Sequence, residues 1–150
     1  QGQPHQRRIN MIKLILFATD GSAASGHAAA YVASLATKYD AKVLVVHAFH
    51  TLPEHLGEPN YSQAMYRTLK EASDVSENTV TTLKSMGVKE IEAEYIEGSP
   101  VDVILNTVNV RRPDLLILGS RGLGSWKGAI LGSVSSALTQ RCECPVLVVK

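Results

Sequence analysis

The chain has 150 residues, of which 45% are hydrophobic and 19% charged, and a formal net charge of +1 at pH 7. This length suits one compact domain, and the composition is typical of a globular protein rather than a disordered chain. Nucleic-acid grooves need clustered Lys and Arg, and membrane spans need longer apolar runs than this sequence has. We therefore expect neither a nucleic-acid partner nor a membrane partner.

The first ten residues and the cysteines set further limits. Residues 1–10 are polar, and no apolar core follows Arg7 and Arg8 as it would in a secretory signal. We interpret them as a disordered tail or a cloning remnant, followed by one domain over residues 11–150. Cys142 and Cys144 lie one residue apart, which makes a mutual disulfide sterically awkward. This cysteine usage favours a reducing, cytoplasmic setting.

Short apolar runs alternate with segments of helical periodicity, a pattern that predicts a parallel sheet covered by crossover helices. Of these runs, the first, second and fourth are nearly continuous in apolar residues, as strands buried on both faces should be. The expected fold is a single three-layer α/β/α domain with a five-stranded parallel sheet. The predicted strands are residues 12–18, 42–49, 90–96, 114–119 and 146–149.

Four helices are predicted between and after these strands. The first follows Ser22, the second covers 61–86, the third opens at Ser99 and ends near Arg111, and the last begins near Gly132. Pro and Gly residues within 51–60 predict a loop before the second helix. The spacing of apolar residues predicts an inner face for the first helix of Ala24, Ala28, Tyr31, Val32, Leu35 and Tyr39, and for the second of Met65, Leu69, Ala72, Thr79, Leu83 and Met86.

The clearest functional signal is a glycine motif after the fourth strand. It reads Gly119-Ser120-Arg121-Gly122, then nine residues, then Gly132-Ser133. The motif leaves the carboxyl edge of the sheet, where open α/β sheets bind ligands, and it ends at a helix N-terminus, which favours anions. A P-loop is excluded because Lys127 precedes Gly128 rather than Ser or Thr, and the first turn lacks a dinucleotide fingerprint. The motif therefore predicts a phosphate site.

The motif resembles that of the universal stress proteins, whose ATP-binding branch carries Gly-x2-Gly-x9-Gly followed by Ser or Thr. Further likeness lies in the turn at 18–22, in Val-His-Ala at 46–48 and in the final strand at 145–149. The resemblance covers residues 12–150. It implies a Rossmann-like fold of the adenine nucleotide alpha hydrolase type, with strand order 3-2-1-4-5.

The resemblance also implies a binding site for ATP and Mg²⁺. Asp20 corresponds to the acidic residue near the ribose and the metal, although a carboxylate opening a helix is commonly a cap. Arg121 and Lys127 could neutralise phosphate charge or remain solvated, and Gly124 and Gly128 are looser additions. The implied phosphate-lining residues are Gly119, Gly122, Gly132, Ser133 and Val134; Ala18 and Thr19 border the pocket, and Ala48 faces the adenine.

The function favoured by these residues is a nucleotide-dependent regulatory module of the stress response. It is a binder before it is an enzyme, because no general base is evident to activate water. Three alternatives stay open: a slow ATPase that uses Asp20 and metal, a member that binds AMP or cyclic AMP, and an interaction module without nucleotide. The resemblance also implies a homodimer through the last strand, residues 146–150, which would cover an exposed edge.

Overall fold

The computed structural model describes residues 11–50, 52–122 and 131–150. The predicted alternation of strands and helices is present, and a short 3-10 helix interrupts the loop predicted at 51–60. The elements are β1 (Leu14–Ala18), α1 (Ala23–Tyr39), β2 (Lys42–Phe49), the 3-10 helix (Glu54–Leu56), α2 (Asn60–Ser85), β3 (Ile91–Glu97), α3 (Pro100–Arg111), β4 (Leu115–Gly119), α4 (Ser133–Arg141) and β5 (Val146–Val149).

The strands form one parallel five-stranded sheet in the order β3-β2-β1-β4-β5, which confirms the predicted topology. In the centre of the sheet, Ile15 pairs with Val43 on one side and with Leu115 on the other. The three central strands are those with nearly continuous apolar sequence. They are covered by helices on both faces, so consecutive residues are buried whichever way they point.

Two hydrophobic clusters lie on opposite faces of the sheet. The first joins Phe17 and its same-face neighbours to α1 and the end of α2. The second joins Leu16 and its same-face neighbours to α3 and α4. Within β1, Ile15, Leu16 and Phe17 are at most 1% exposed, so adjacent residues feed both clusters. The domain is therefore layered as helix, sheet and helix, as predicted.

The predicted inner faces of α1 and α2 are wrong in part. Tyr31 is 54% exposed, and Leu69 and Met86 are 40% and 43% exposed. In α1 the buried stripe consists mainly of alanines, because small side chains let the helix lie close to the sheet. Helix α2 buries Ala72, Ser76 and Leu83. Which residues are buried depends on how closely the helix backbone approaches the sheet. The spacing of apolar residues alone does not indicate this distance.

Candidate functional site

Strands β1 and β4 are neighbours, and the chain leaves their carboxyl ends towards opposite faces of the sheet. Ala18 pairs with Leu118 at this edge. After β1 the chain enters α1, which packs on the first cluster, and after β4 it leads to α4, which packs on the second. Such a reversal creates a crevice where open α/β sheets bind ligands. The candidate site lies between the β1–α1 turn (19–22) and the described ends of the β4–α4 loop (120–122 and 131–132).

Hydrogen bonds fix the β1–α1 turn. The Asp20 Oδ1 atom accepts from the Ser22 N–H at 2.9 Å and from the Ser25 hydroxyl at 2.8 Å. Gly21 has a φ of +77°, which side-chain-bearing residues rarely adopt. The Ser22 hydroxyl accepts from the Ser25 N–H at 3.3 Å and caps α1. Asp20 is not itself the N-cap of α1, which is Ser22, but its carboxylate organises the residues at the start of that helix.

His47, late in β2, ties the same turn to the sheet. Its Nδ1 atom lies 2.8 Å from the Thr19 carbonyl oxygen. A carbonyl only accepts hydrogen bonds, so Nδ1 carries the hydrogen and donates it. The Thr19 N–H donates in turn to the Val46 carbonyl at 3.1 Å. The role of His47 could not be predicted from its sequence position, because this contact depends on the register of β1 against β2.

Packing against the β1–α1 region explains why glycine stands at positions 119 and 122. A Cβ on Gly119 would lie 2.8 Å from the carbonyl carbon and Cβ of Ala24 and 2.9 Å from the Ser25 nitrogen. A Cβ on Gly122 would collide with Oδ2 of Asp20. The Ser22 hydroxyl also lies 3.4 Å from the Arg121 carbonyl, to which it donates. Gly119 and Gly122 therefore let residues 120–122 lie close against the β1–α1 turn.

Ser120 anchors both described ends of the β4–α4 loop. Its carbonyl accepts from the Gly132 N–H at 2.6 Å and from the Ser135 hydroxyl at 2.7 Å. Its own N–H donates to the Val149 carbonyl at 2.7 Å. Ser120 and Ser135 are buried, so these bonds are shielded from water. These bonds hold Ser120, at the end of β4, directly against Gly132, at the start of α4.

The N-terminus of α4 lies at that point without a side-chain cap. Gly132 occupies the N-cap position and makes no side-chain bond, unlike Ser22 in α1. The first backbone N–H groups of a helix have no acceptor within it, and the helix dipole is positive there. Ser133 is exposed beside them, and Arg121 is exposed on the facing loop. This end of α4 can accept an anion.

The other site residues predicted from sequence lie around the same edge. Ala18, Ala48 and Val134 are half-buried and pack against the second cluster, at the ends of β1 and β2 and the start of α4. Thr19 is buried. Gly124, Lys127 and Gly128 lie outside the described residues. No helix in the part of the chain that the structure describes is long and apolar enough to cross a membrane.

A groove of about 210 Å³ borders the β1–α1 turn on its other side. Thr19 and Ser22 form part of one wall, and Val75 and Thr79 of α2 form part of the other. Solvent therefore reaches the β1–α1 turn from two sides, through this groove between α1 and α2 and through the crevice.

Comparison with known proteins gives a consistent result. A model of the universal stress protein family matches residues 11–150. A universal stress protein of Thermus aquaticus, described by its position in the QAH/OAS sulfhydrylase 3' region, is 36% identical over 140 residues, which cover 93% of this chain and all of that protein.

Solved structures share the fold. A protein described as hypothetical protein MJ0577 superposes with a TM-score of 0.83 at 28% identity, covering 93% of this chain and 96% of that one. A universal stress protein family member from Arabidopsis thaliana, described as having AMP bound, superposes with a TM-score of 0.68 at 26% identity. The match covers 92% of this chain and 91% of the Arabidopsis chain.

Proposed function

Because the chain belongs to the universal stress protein family, we propose that it binds an adenine nucleotide in the crevice between β1 and β4. The observation that carries the proposal is the uncapped N-terminus of α4, held opposite the Asp20 turn at a topological switch point. The description of the Arabidopsis relative as AMP-bound supports this choice of ligand. Nucleotide occupancy then acts as a regulatory signal through conformation or association.

The phosphates bind at the start of α4. Backbone N–H groups of Ser133 and Val134 donate to phosphate oxygens, and the Ser133 hydroxyl adds a further donor. Gly132 permits close approach because its N-cap position carries no side chain. Arg121 is exposed on the facing loop and supplies positive charge from solvent. Gly119 and Gly122 contribute by holding this loop against the β1–α1 turn.

The ribose and base lie towards β1 and β2. Asp20 accepts from a ribose hydroxyl, and Ala18 and Thr19 border the sugar. Ala48 ends the apolar wall formed with Ala18 on the second cluster, and its backbone meets the adenine. The hydrogen bond from His47 to Thr19 fixes the distance between these two strand ends.

ATP with Mg²⁺ is the specific ligand that we propose. Mg²⁺ is usually held by one or two carboxylates together with phosphate oxygens and water, rather than by a cage of protein ligands. In the described ranges no group of three or more His, Cys, Asp or Glu side chains could hold a metal. Asp20 would supply the single carboxylate of such an arrangement, and its position in the β1–α1 turn supports this role. The bound cation would neutralise phosphate charge there.

The test is a charge substitution that separates folding from binding. Ser133→Asp places a carboxylate in the first turn of α4, where the helix dipole favours it, but where it repels phosphate. We expect unchanged or slightly higher stability and at least a tenfold loss of ATP affinity, since a charge-assisted hydrogen bond contributes about 1.5–3 kcal/mol. Ser34→Asp is the matched control, because Ser34 is exposed in the middle of α1.

The measurement combines extraction with titration. The purified protein is denatured, and any released nucleotide is identified by chromatography and mass spectrometry. Calorimetry then compares the binding affinities of ATP, AMP and cyclic AMP with and without Mg²⁺. Equal ATP affinity in the Ser133→Asp and Ser34→Asp variants would place the phosphates elsewhere. A wild-type chain that yields no nucleotide and binds none of the three would favour the interaction module.

We also propose a homodimer through β5 and Lys150. In the described sheet β5 has β4 as its one neighbour. The Pro145 and Val149 carbonyls point to β4, accepting from Leu116 and Ser120, so the backbone groups of Val148 face the open edge. Val148→Pro removes an outward N–H and leaves the bonds to β4 intact. Light scattering is expected to show a dimer for wild type and a monomer for the variant; a wild-type monomer at high concentration would contradict the proposal.

A further inference from the structure

Cys142 and Cys144 form a thiol pair at the end of α4. Their Sγ atoms lie 3.3 Å apart without a disulfide between them, in agreement with the expectation that a mutual disulfide is sterically awkward at this spacing. The chain bends at Glu143 and Cys144 before entering β5, and this bend brings the side chains to one side. Both cysteines are free and half-buried, and both pack against the second cluster. The pair lies in a segment separate from the nucleotide crevice.

We propose that this pair is a binding site for trivalent arsenic, as arsenous acid or an organic arsenical. Taking a sulfur–arsenic bond to be about as long as a zinc–thiolate bond, about 2.3 Å, the observed 3.3 Å separation gives an S–As–S angle of about 90°. Trivalent arsenic is pyramidal and accepts such an angle. Its third substituent faces solvent, because both cysteines are half-exposed.

The surroundings of the pair favour a ligand that leaves no net charge on sulfur. Burial and the contact with Cys142 raise the pKa of the Cys144 thiol to about 12, so a thiolate is disfavoured. Arsenic binding avoids this cost. Each S–H proton leaves as water with a hydroxyl of arsenous acid, or of the hydrated form of an arsine oxide. Two S–H and two As–O bonds break, two As–S and two O–H bonds form, and arsenic keeps its +3 oxidation state. The product is neutral at sulfur and suits the apolar side of the pair.

Two other uses of the pair fit less well. Structural zinc takes four ligands, and the described residues hold no group of three or more ligand-type side chains. A disulfide needs the sulfurs to close from 3.3 Å to about 2.05 Å, and it needs an oxidant. Arsenic needs neither a third protein ligand nor an electron acceptor. The existing separation of the sulfurs is the one it uses.

The experiment uses phenylarsine oxide on the reduced full-length chain, with excess glutathione present to remove adducts on single thiols. Native mass spectrometry is expected to show one phenylarsenic group per chain, displaced by 2,3-dimercaptopropanol. Cys142→Ser and Cys144→Ser should each lose this adduct, with apparent affinity reduced by about 100-fold or more, because the second bond is no longer intramolecular. Alanine variants at the same positions repeat the test if a serine variant does not fold.

Thermal unfolding provides the second measurement. A ligand that binds the folded pair more tightly than the unfolded chain raises Tm, and we expect that rise in wild type and in neither single variant. An adduct that survives in either single-cysteine variant, or a wild-type chain that forms none, would overturn the proposal. An adduct that leaves Tm unchanged or lowers it would also overturn it, because the folded arrangement would then contribute nothing.

Discussion

Gly119→Ala tests whether the first motif glycine is required by packing. The added Cβ would lie 2.8 Å from the carbonyl carbon and Cβ of Ala24 and 2.9 Å from the Ser25 nitrogen. These atoms belong mostly to the backbone of the first turn of α1, so they cannot rotate away as a flexible side chain would. Overpacking of this kind costs about 1–3 kcal/mol. For a chain of 150 residues the expected fall in Tm is about 2–12 °C.

Gly26→Ala is the matched control. It adds the same methyl group, and it does so within α1, the helix that Gly119 contacts. A Cβ at Gly26 meets no atom within 4 Å, and Gly26 is exposed inside α1. Alanine is favoured over glycine in a helix by about 0.5–1 kcal/mol. The control is therefore expected to raise Tm while Gly119→Ala lowers it. If the same chemical change shifts Tm in opposite directions at the two positions, the difference arises from the local environment of each glycine.

Thermal unfolding followed by circular dichroism measures both variants, and ATP titration of the folded protein follows. Displacing the start of α1 also moves Asp20, so we expect Gly119→Ala to weaken binding and Gly26→Ala to leave it unchanged. A Gly119→Ala protein as stable as wild type would refute the packing argument. If it also bound ATP poorly, Gly119 would be required by the ligand alone.

Two further predictions concern carboxylates. Arg111 and Lys42 contact Glu92 at 2.8 and 3.0 Å and lower its pKa from 4.5 to about 2. The ion pairs therefore stabilise the fold above pH 4.5 and are lost as the pH falls towards about 2. Glu92→Gln should lower the free energy of unfolding in urea at pH 7 by about 1 kcal/mol or less, because the ion pairs are screened by solvent. The difference in stability between wild type and variant should shrink steadily as the pH falls. A difference that does not depend on pH would contradict this prediction. Asp20→Asn keeps a side-chain acceptor for the Ser22 N–H but removes the negative charge. The Mg²⁺-dependent affinity for ATP should therefore fall, while Tm stays unchanged and phosphate release stays at background. An unchanged affinity would show that Asp20 has only a structural role at the start of α1.

The strand order was predicted from the family resemblance, whereas the sequence itself indicated which strands are buried on both faces. Residues 14–18, 42–49 and 115–119 are apolar on both faces, whereas β3 alternates glutamate with apolar residues and so suits an edge. Strand ends moved by one or two residues, as at Leu14, because pairing with neighbours decides them. The face of α1 was harder to predict, since Tyr31 has the right spacing but is too large for close contact with the sheet.

The candidate site was only partly readable from the sequence. The glycine motif indicated where the crevice lies, because its spacing joins a strand end to a helix start. The contacts of Ser120 with Ser135 and of His47 with Thr19 join segments far apart in the chain, and no local pattern indicates them. The packing role of Gly119 likewise depends on how α1 crosses β4. Local chemistry can be inferred from sequence, whereas tertiary distances cannot.

The bond between His47 and Thr19 makes one imidazole a natural spectroscopic reporter of the crevice. The hydrogen on Nδ1 is held in this bond to the Thr19 carbonyl, so the ring is tied to the turn that carries Asp20. The Nδ1–H resonance of His47 should therefore shift when that turn moves, and it reports rearrangement at the ends of β1 and β2.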